Sequence, residues 1–240
     1  MTTTTFMTLS IATIDTPESA GDIPALTHLI GYSLLVARFS VETGWTVDQH
    51  TELADGRGEA ALLEQLADQL PETATMVGWQ VADSLVVPVV ALMRDAEPKA
   101  AQHLAERFER LLTSPVVDLS IDHGGAAAPA LDAIAGSSGL QVRSPTEDEL
   151  FNAWAFSRLD SVRKWLETMT GLTWSLWLRQ AEAAPPCGKR TRGSGGRSGL
   201  IAAPANQPFQ DRTGACRRAP TTGDHICTSP TLKLRPFVVT

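Results

Sequence analysis

Three carboxylates stand out by position: Asp15 just past the first expected strand, Asp83 after the fourth, and Asp160 on a late helix. A carboxylate accepts hydrogen bonds, binds hard cations and moves protons, so acids at element ends are the first candidates for chemistry. Each also has an ordinary structural use. Asp15 before Thr16-Pro17 can begin a turn. Asp83 before Ser84 can cap a helix or sit in a loop. Asp160 lies among Arg158, Arg163 and Lys164 at spacings that suit surface ion pairs. Asp118 with Asp122 and His123 reads either as a metal pair or as solvated loop residues, and His28, His50 and His103 have no partner at ligand spacing. Cys187, Cys216, His225 and Cys227 could bind zinc but include no Cys-x-x-Cys pair. Trp154, Trp165, Trp174 and Trp177 could stack on bases or close a core. A Gly-rich phosphate loop and a Gly-x-Ser-x-Gly string are both missing, which argues against a small-molecule α/β enzyme of either kind.

The elements that must position these side chains follow from periodicity. Thr8–Ile14 and Leu29–Phe39 read as strands, and a shorter third run surrounds Trp45–Val47 with Gly44 before it, which suggests a hairpin. Leu62, Leu63, Leu66 and Leu70 recur at helical spacing within Gly58–Leu70, and Pro71 follows. Ala74–Trp79 is a compact strand, Pro88–Asp95 opens a helix, and Pro98–Leu112 is amphipathic through Leu104, Phe108, Leu111 and Leu112. Pro115–Ile121 reads as a strand and Pro129–Ala135 as a short helix. Thr146–Glu149 is a capping box opening a helical stretch over Leu150–Thr170, which Gly171 is expected to end before a last helix at Thr173–Glu182.

The resulting order, β-β-β-α-β-α-β-α-α, predicts an α/β fold: a mixed central sheet of three antiparallel strands followed by α/β units, flanked by helices. This is the order of the ribonuclease H-like fold. Local strings extend the likeness. Thr13-Ile14-Asp15-Thr16-Pro17-Glu18 resembles the first motif of DEDD-type 3′–5′ exonucleases related to family-B DNA polymerase proofreading domains. Val77-Gly78-Trp79-Gln80, with Pro88 downstream, resembles the second, in which a Gly-aromatic-Asn string leads to Phe-Asp-x-Pro. Val117-Asp118-Leu119 and Ala130-Leu131-Asp132-Ala133-Ile134-Ala135 resemble the family's Asp-Leu strand and short helix, and Ala155-Phe156-Ser157-Arg158-Leu159-Asp160 resembles the third motif. The likeness spans about residues 8–180.

The resemblance implies that Asp15, Glu18, Asp83 and Asp160 are catalytic, with Asp15, Asp83 and Asp160 binding two Mg²⁺ or Mn²⁺ ions. One ion would activate water and the other would stabilise the leaving oxygen as a phosphodiester at a single-stranded DNA 3′ end is hydrolysed. The chain departs from the pattern at specific places. The family's Asp-x-Glu puts both acids on one strand face, whereas Pro17 stands at the second position and Glu18 comes one residue late. Gln80 replaces the Asn, Val86 occupies the metal-binding Asp position counted back from Pro88, and Phe156 has no hydroxyl to orient water. A catalytically inactive relative serving as a nucleic-acid or protein interaction module is the alternative expectation.

Composition divides the 240 residues in two. Residues 1–184 carry 11 basic and 25 acidic side chains, a net of −14 that opposes non-specific nucleic-acid binding. Residues 185–240 carry 9 basic and 2 acidic side chains and 14 Gly+Pro, a composition expected to be disordered. The first part is expected to be the ribonuclease H-like domain and the second a basic tail without specific function; its Lys189–Arg192 cluster, with Arg197 and Arg217–Arg218, could instead hold phosphates, or its sequence could be non-native. The N-terminus lacks a basic signal-like region, and the longest apolar run, Leu85–Met93, is far below the ~20 residues a membrane span needs. A cytoplasmic, non-membrane protein is expected.

Overall fold

A computed structural model describes residues 3–16, 26–54, 56, 58–137 and 142–183. Three long strands open the chain: β1 (Thr4–Asp15), β2 (Thr27–Ser40) and β3 (Gly44–Leu53). β2 is buried without a break from Leu29 to Ala37, because helices cover both of its faces and no polar alternation is required. It pairs antiparallel with β1 from Thr4↔Phe39 to Asp15↔Thr27, with a bulge beside Ala12 and Thr13, and antiparallel with β3 from Ser40↔Gly44 to Gly31↔Leu53. Gly44 takes a φ of 74° at the turn between β2 and β3, a conformation that glycine adopts without strain. β3 runs far beyond the Trp45–Val47 expected from sequence. Its Asp48, Gln49, His50 and Glu52 are weak strand formers, and the ladder to β2 holds them in place.

β4 (Thr75–Gly78) pairs parallel with β1, and β5 (Val116–Asp118) pairs parallel with β4. The sheet order is β3-β2-β1-β4-β5, a mixed five-stranded open sheet. On one face lie α1 (Glu59–Gln69), α2 (Val87–Asp95) and α3 (Pro98–Leu112), where Leu63, Leu66, Leu92, Leu104 and Leu111 enclose Met7, Leu9 and Leu34 of the strands. On the other lie α4 (Leu131–Ser137), α5 (Glu147–Ala155) and α6 (Asp160–Ala183). Burying a leucine of this kind contributes roughly 1.5–3 kcal/mol, so these two layers carry most of the fold's stability.

The capping box that opens α5 is present: Thr146 N–H donates to Glu149 Oε2 at 2.8 Å, and Glu149 N–H donates to Thr146 Oγ1 at 3.3 Å. The single helix expected over Leu150–Thr170 is instead two, broken at Phe156–Leu159 where Ser157 takes a φ of 51°. Gly171 does not end a helix. α6 continues through it to Ala183, since burying Leu172, Trp174 and Leu178 outweighs the ~1 kcal/mol that a helical glycine costs. The strand expected over Pro115–Ile121 stops at Asp118 and continues as a 3-10 turn over Leu119–His123. Among the described residues no helix is long and apolar enough to cross a membrane.

Candidate functional site

Strand parity decides where the sequence-predicted acids stand. Met7, Leu9 and Ile11 of β1 pack among α1, α2 and α3, whereas Ala12 and Ile14 pack against Leu150 and Ala153 of α5 and Val162 and Leu166 of α6. Asp15 follows in the first set. Its Oδ1 accepts a hydrogen bond from Thr27 Oγ1 at 2.8 Å, and Thr27 N–H in turn donates to Asp95 Oδ2, at the end of α2, at 2.9 Å. Arg94 grips the same Asp95 carboxylate through Nε and Nη2 at 2.6 and 2.7 Å. The Arg94 hydrogen bonds, then the Thr27 amide, lower the Asp95 pKa to about 2. A carboxyl depressed on folding stabilises the native state above its unfolded pKa near 4 and loses that contribution as pH falls from about 4 to 2. Asp95→Asn is therefore expected to lower stability at neutral pH and to flatten the acid limb between pH 4 and 2, measured by urea unfolding across that window.

Asp15 also lines a cavity of about 400 Å³ with Thr13, Glu147, Asp148 and Phe151. Beside this end of the sheet, Glu59 of α1 accepts from Leu29 N–H at 2.7 Å and pairs with His28 Nδ1 at 2.9 Å, so the carboxylate fixes the start of β2. The His28 ring lies nearly parallel to Trp154 of α5, with centroids 6.3 Å apart.

Asp83 sits exposed in a π-helical turn, Ala82–Val86, that leads from β4 into α2. The turn starts at Gln80, whose φ of 47° is left-handed and whose carbonyl accepts from the amides of Asp83 and Ser84 at 3.0 and 2.8 Å. Val86 packs against the main core rather than facing a site. Asp160 is exposed at the first position of α6, where the helix dipole favours a negative charge. Two of the nearby cations make contacts elsewhere: Arg163 donates to Thr51 O at 2.9 Å, and the Arg158 guanidinium lies 5.7 Å from the Phe156 ring centre. Glu18, Pro17 and the tail residues Cys187, Cys216, His225, Cys227 and Lys189–Arg192 lie outside the described residues.

Among the described residues no three His, Cys, Asp or Glu side chains form a group able to hold a metal ion. Asp15, Asp83 and Asp160 stand on separate elements, and no hydrolytic step is derived through Mg²⁺ or Mn²⁺.

Asp118 is half-buried rather than a solvated loop residue. Its Oδ1 accepts from Gln80 N–H and Ser120 N–H, each at 3.0 Å, and from Ser120 Oγ at 2.7 Å, while Oδ2 accepts from Val81 N–H at 2.9 Å. It ties the exit of β4 to the exit of β5. Trp79 Nε1 and Gln80 Nε2 extend the tie to the carbonyls of Pro129 and Ala128, at 3.2 Å each.

The tryptophans divide. Trp174 and Trp177 cluster with Phe6 and Trp45, whereas Trp154 is 37% exposed on α5. Trp165 lines a second cavity, of about 430 Å³, in the corner between α5 and α6, with Arg143, Asn152, Phe156, Arg158 and Ser161 around it. The Trp165 indole N–H is buried and finds no acceptor among the described residues, an arrangement that costs about 1–3 kcal/mol. Sequence spacing gave no sign of this cavity, because its residues come from a loop, two helix faces and a broken helix. The local signals were the Phe156–Arg158 string and Trp165, one of the tryptophans that could stack on bases. Compared with protein-family models, curated proteins and solved structures, the chain matches none of them.

Proposed function

We propose that the body of the chain is a ribonuclease H-like domain, related to DEDD exonucleases, that binds single-stranded nucleic-acid ends without hydrolysing them. The sheet order and its antiparallel-then-parallel pairing support the fold reading. So does the strained backbone at Gln80 and the π-turn after it, in the stretch that resembles the second motif. The observation that carries the loss of hydrolysis is on β1. The two positions with i, i+2 spacing that face α6 are Ala12 and Ile14, 1% and 5% exposed, where an Asp-x-Glu pair would have to stand.

Binding falls to the α5–α6 corner, the place where guanidiniums and exposed aromatics meet: Arg143 and Arg158 with Phe156. With a body net charge of −14, affinity rests on these few contacts. Two phosphate contacts correspond to a log–log salt slope of about −1.4 for a single strand. A cytoplasmic location belongs to the same proposal.

The test is incubation of a 5′-labelled single-stranded oligonucleotide with the whole chain and Mn²⁺, beside Asp160→Ala, with anisotropy of the same strand in parallel. The expected result is retention of the strand and no laddering by either protein. Laddering that Asp160→Ala removes would overturn this reading in favour of two-metal 3′–5′ hydrolysis. Absence of strand binding would instead leave a protein partner as the role of the domain.

A further inference from the structure

The corner cavity has a chemistry of its own. Leu150, Ala153 and Val162 are at most 9% exposed and form its floor, and apart from Pro145 the side chains around it are polar, charged or aromatic. Its volume of about 430 Å³ lies within the ~300–1,000 Å³ range of small-ligand sites. Arg143 is ion-paired with Glu149, whose carboxyl is held below its ordinary value by the Thr146 amide and then by Arg143. Arg158 lies beside Phe156 and has no carboxylate partner among the described residues. The cavity therefore carries a net positive charge in a body that is otherwise strongly acidic.

The backbone that presents these groups is strained. Ser157, a non-glycine residue, takes a left-handed φ of 51° between Phe156 and Arg158. Three backbone hydrogen bonds lock the corner: Phe156 N–H donates to Asn152 O at 3.1 Å, Ser157 N–H to Trp154 O at 3.1 Å and Arg158 N–H to Ala153 O at 2.7 Å. Backbone strain of this kind persists only where the surroundings over-determine it, and it concentrates at ligand sites.

We propose that this cavity binds one nucleoside monophosphate unit, its phosphate held by Arg158 with Arg143 and its base placed against Phe156 and Trp165. Asn152 and Ser161 supply hydrogen bonds to ring or sugar. The proposal rests on the strand-binding reading where the unit is the end of a strand. A free mononucleotide presents the same phosphate and ring and competes for the same place.

Trp165 provides the test. The whole chain is labelled with ¹⁵N-tryptophan, its six indole N–H signals are recorded, and Trp165 is assigned with Trp165→Phe. Thymidine 5′-monophosphate, inorganic phosphate and an oligothymidylate are titrated separately. The monophosphate is expected to shift the Trp165 signal saturably. Arg158→Ala and Phe156→Ala are each expected to weaken this about tenfold, Arg158→Lys less, with the remaining indole signals unmoved as the check on folding. Arg38→Ala, on β2 and paired with Asp48, is expected to change nothing. Equal shifts with inorganic phosphate at equal affinity would overturn the base contact. A strand that binds by anisotropy without moving Trp165 would overturn the cavity assignment and leave the strand reading standing. A monophosphate that moves Trp165 while no strand binds would uphold the cavity and overturn the strand reading. No response to any probe would overturn both.

Discussion

Ala12→Asp is expected to destabilise the domain by about 3–5 kcal/mol at pH 8, read from urea or thermal unfolding, with Ile14→Glu in the same range. Both side chains lie in a closed apolar cluster with Ile30, Leu53, Val162 and Leu166, and the described members of that cluster include no cation. A carboxyl placed there gives up hydration and gains no partner, so its pKa rises on folding. The sign follows. A group raised on folding does least harm below its unfolded pKa near 4, and the deficit grows as pH rises toward the folded value. The deficit at pH 4 is therefore expected to be clearly smaller than at pH 8. The double variant adds a functional readout, because Asp-x-Glu at 12 and 14 faces the helix that carries Asp160. If these are the positions a metal-binding pair would take, Mn²⁺ raises the melting temperature of the double variant and leaves the parent chain unchanged. Equal stability at both pH values, or no Mn²⁺ effect on the double variant, would show that β1 presents another face to α6.

Much of the fold was legible because the apolar periodicities are long and well punctuated. The α3 stripe Leu104, Phe108 and Leu111 is buried throughout, and the Thr146–Glu149 box starts α5 where spacing placed it. The misreadings have physical causes. β3 is polar and depends on β2 for its pairing, so no window of its own sequence reveals its full length. Gly171 reads as a stop, yet tertiary burial on both sides carries the helix through it. The break at Phe156–Leu159 has neither Gly nor Pro, and only Ser157 in a left-handed conformation marks it.

The site was less legible, because parity on a strand cannot be read from a motif alone. The string Thr13–Glu18 drew attention to Asp15, but Asp15 bonds Thr27 beside Asp95 of α2, at the end of the sheet where it also lines the cavity with Glu147, Asp148 and Phe151 of α5. The side facing α6 belongs to Ala12 and Ile14. Sequence spacing leaves Asp118 as either a metal-pair or a solvated loop residue. The four donors it collects come from positions 80, 81 and 120, and only the parallel pairing of β4 with β5 brings those together.

Asp118→Asn, nearly isosteric, is expected to cost about 2–4 kcal/mol, measured by urea unfolding. An ionised carboxylate is acceptor-only on both oxygens, and this one meets donors on both: Gln80 and Ser120 at Oδ1, Val81 at Oδ2. An asparagine side chain has one acceptor and one NH₂, so one orientation sets the NH₂ against Val81 N–H and the other sets it against Gln80 and Ser120. Either way a partly buried amide loses its acceptor, at about 1–3 kcal/mol, and the remaining bonds lose their charge assistance. The effect is expected to be local in hydrogen exchange. The Val81 and Gln80 amides lose protection, and so does the π-turn Ala82–Val86 that Gln80 opens, while β2 keeps its own. Asp122→Asn, four residues on and exposed, is expected to stay within about 0.5 kcal/mol of the parent. If the two variants are equally mild, the carboxylate does not hold the β4 exit. The left-handed Gln80 would then be sustained by its side-chain bond to Ala128 and by the Asp83 and Ser84 amides on its carbonyl.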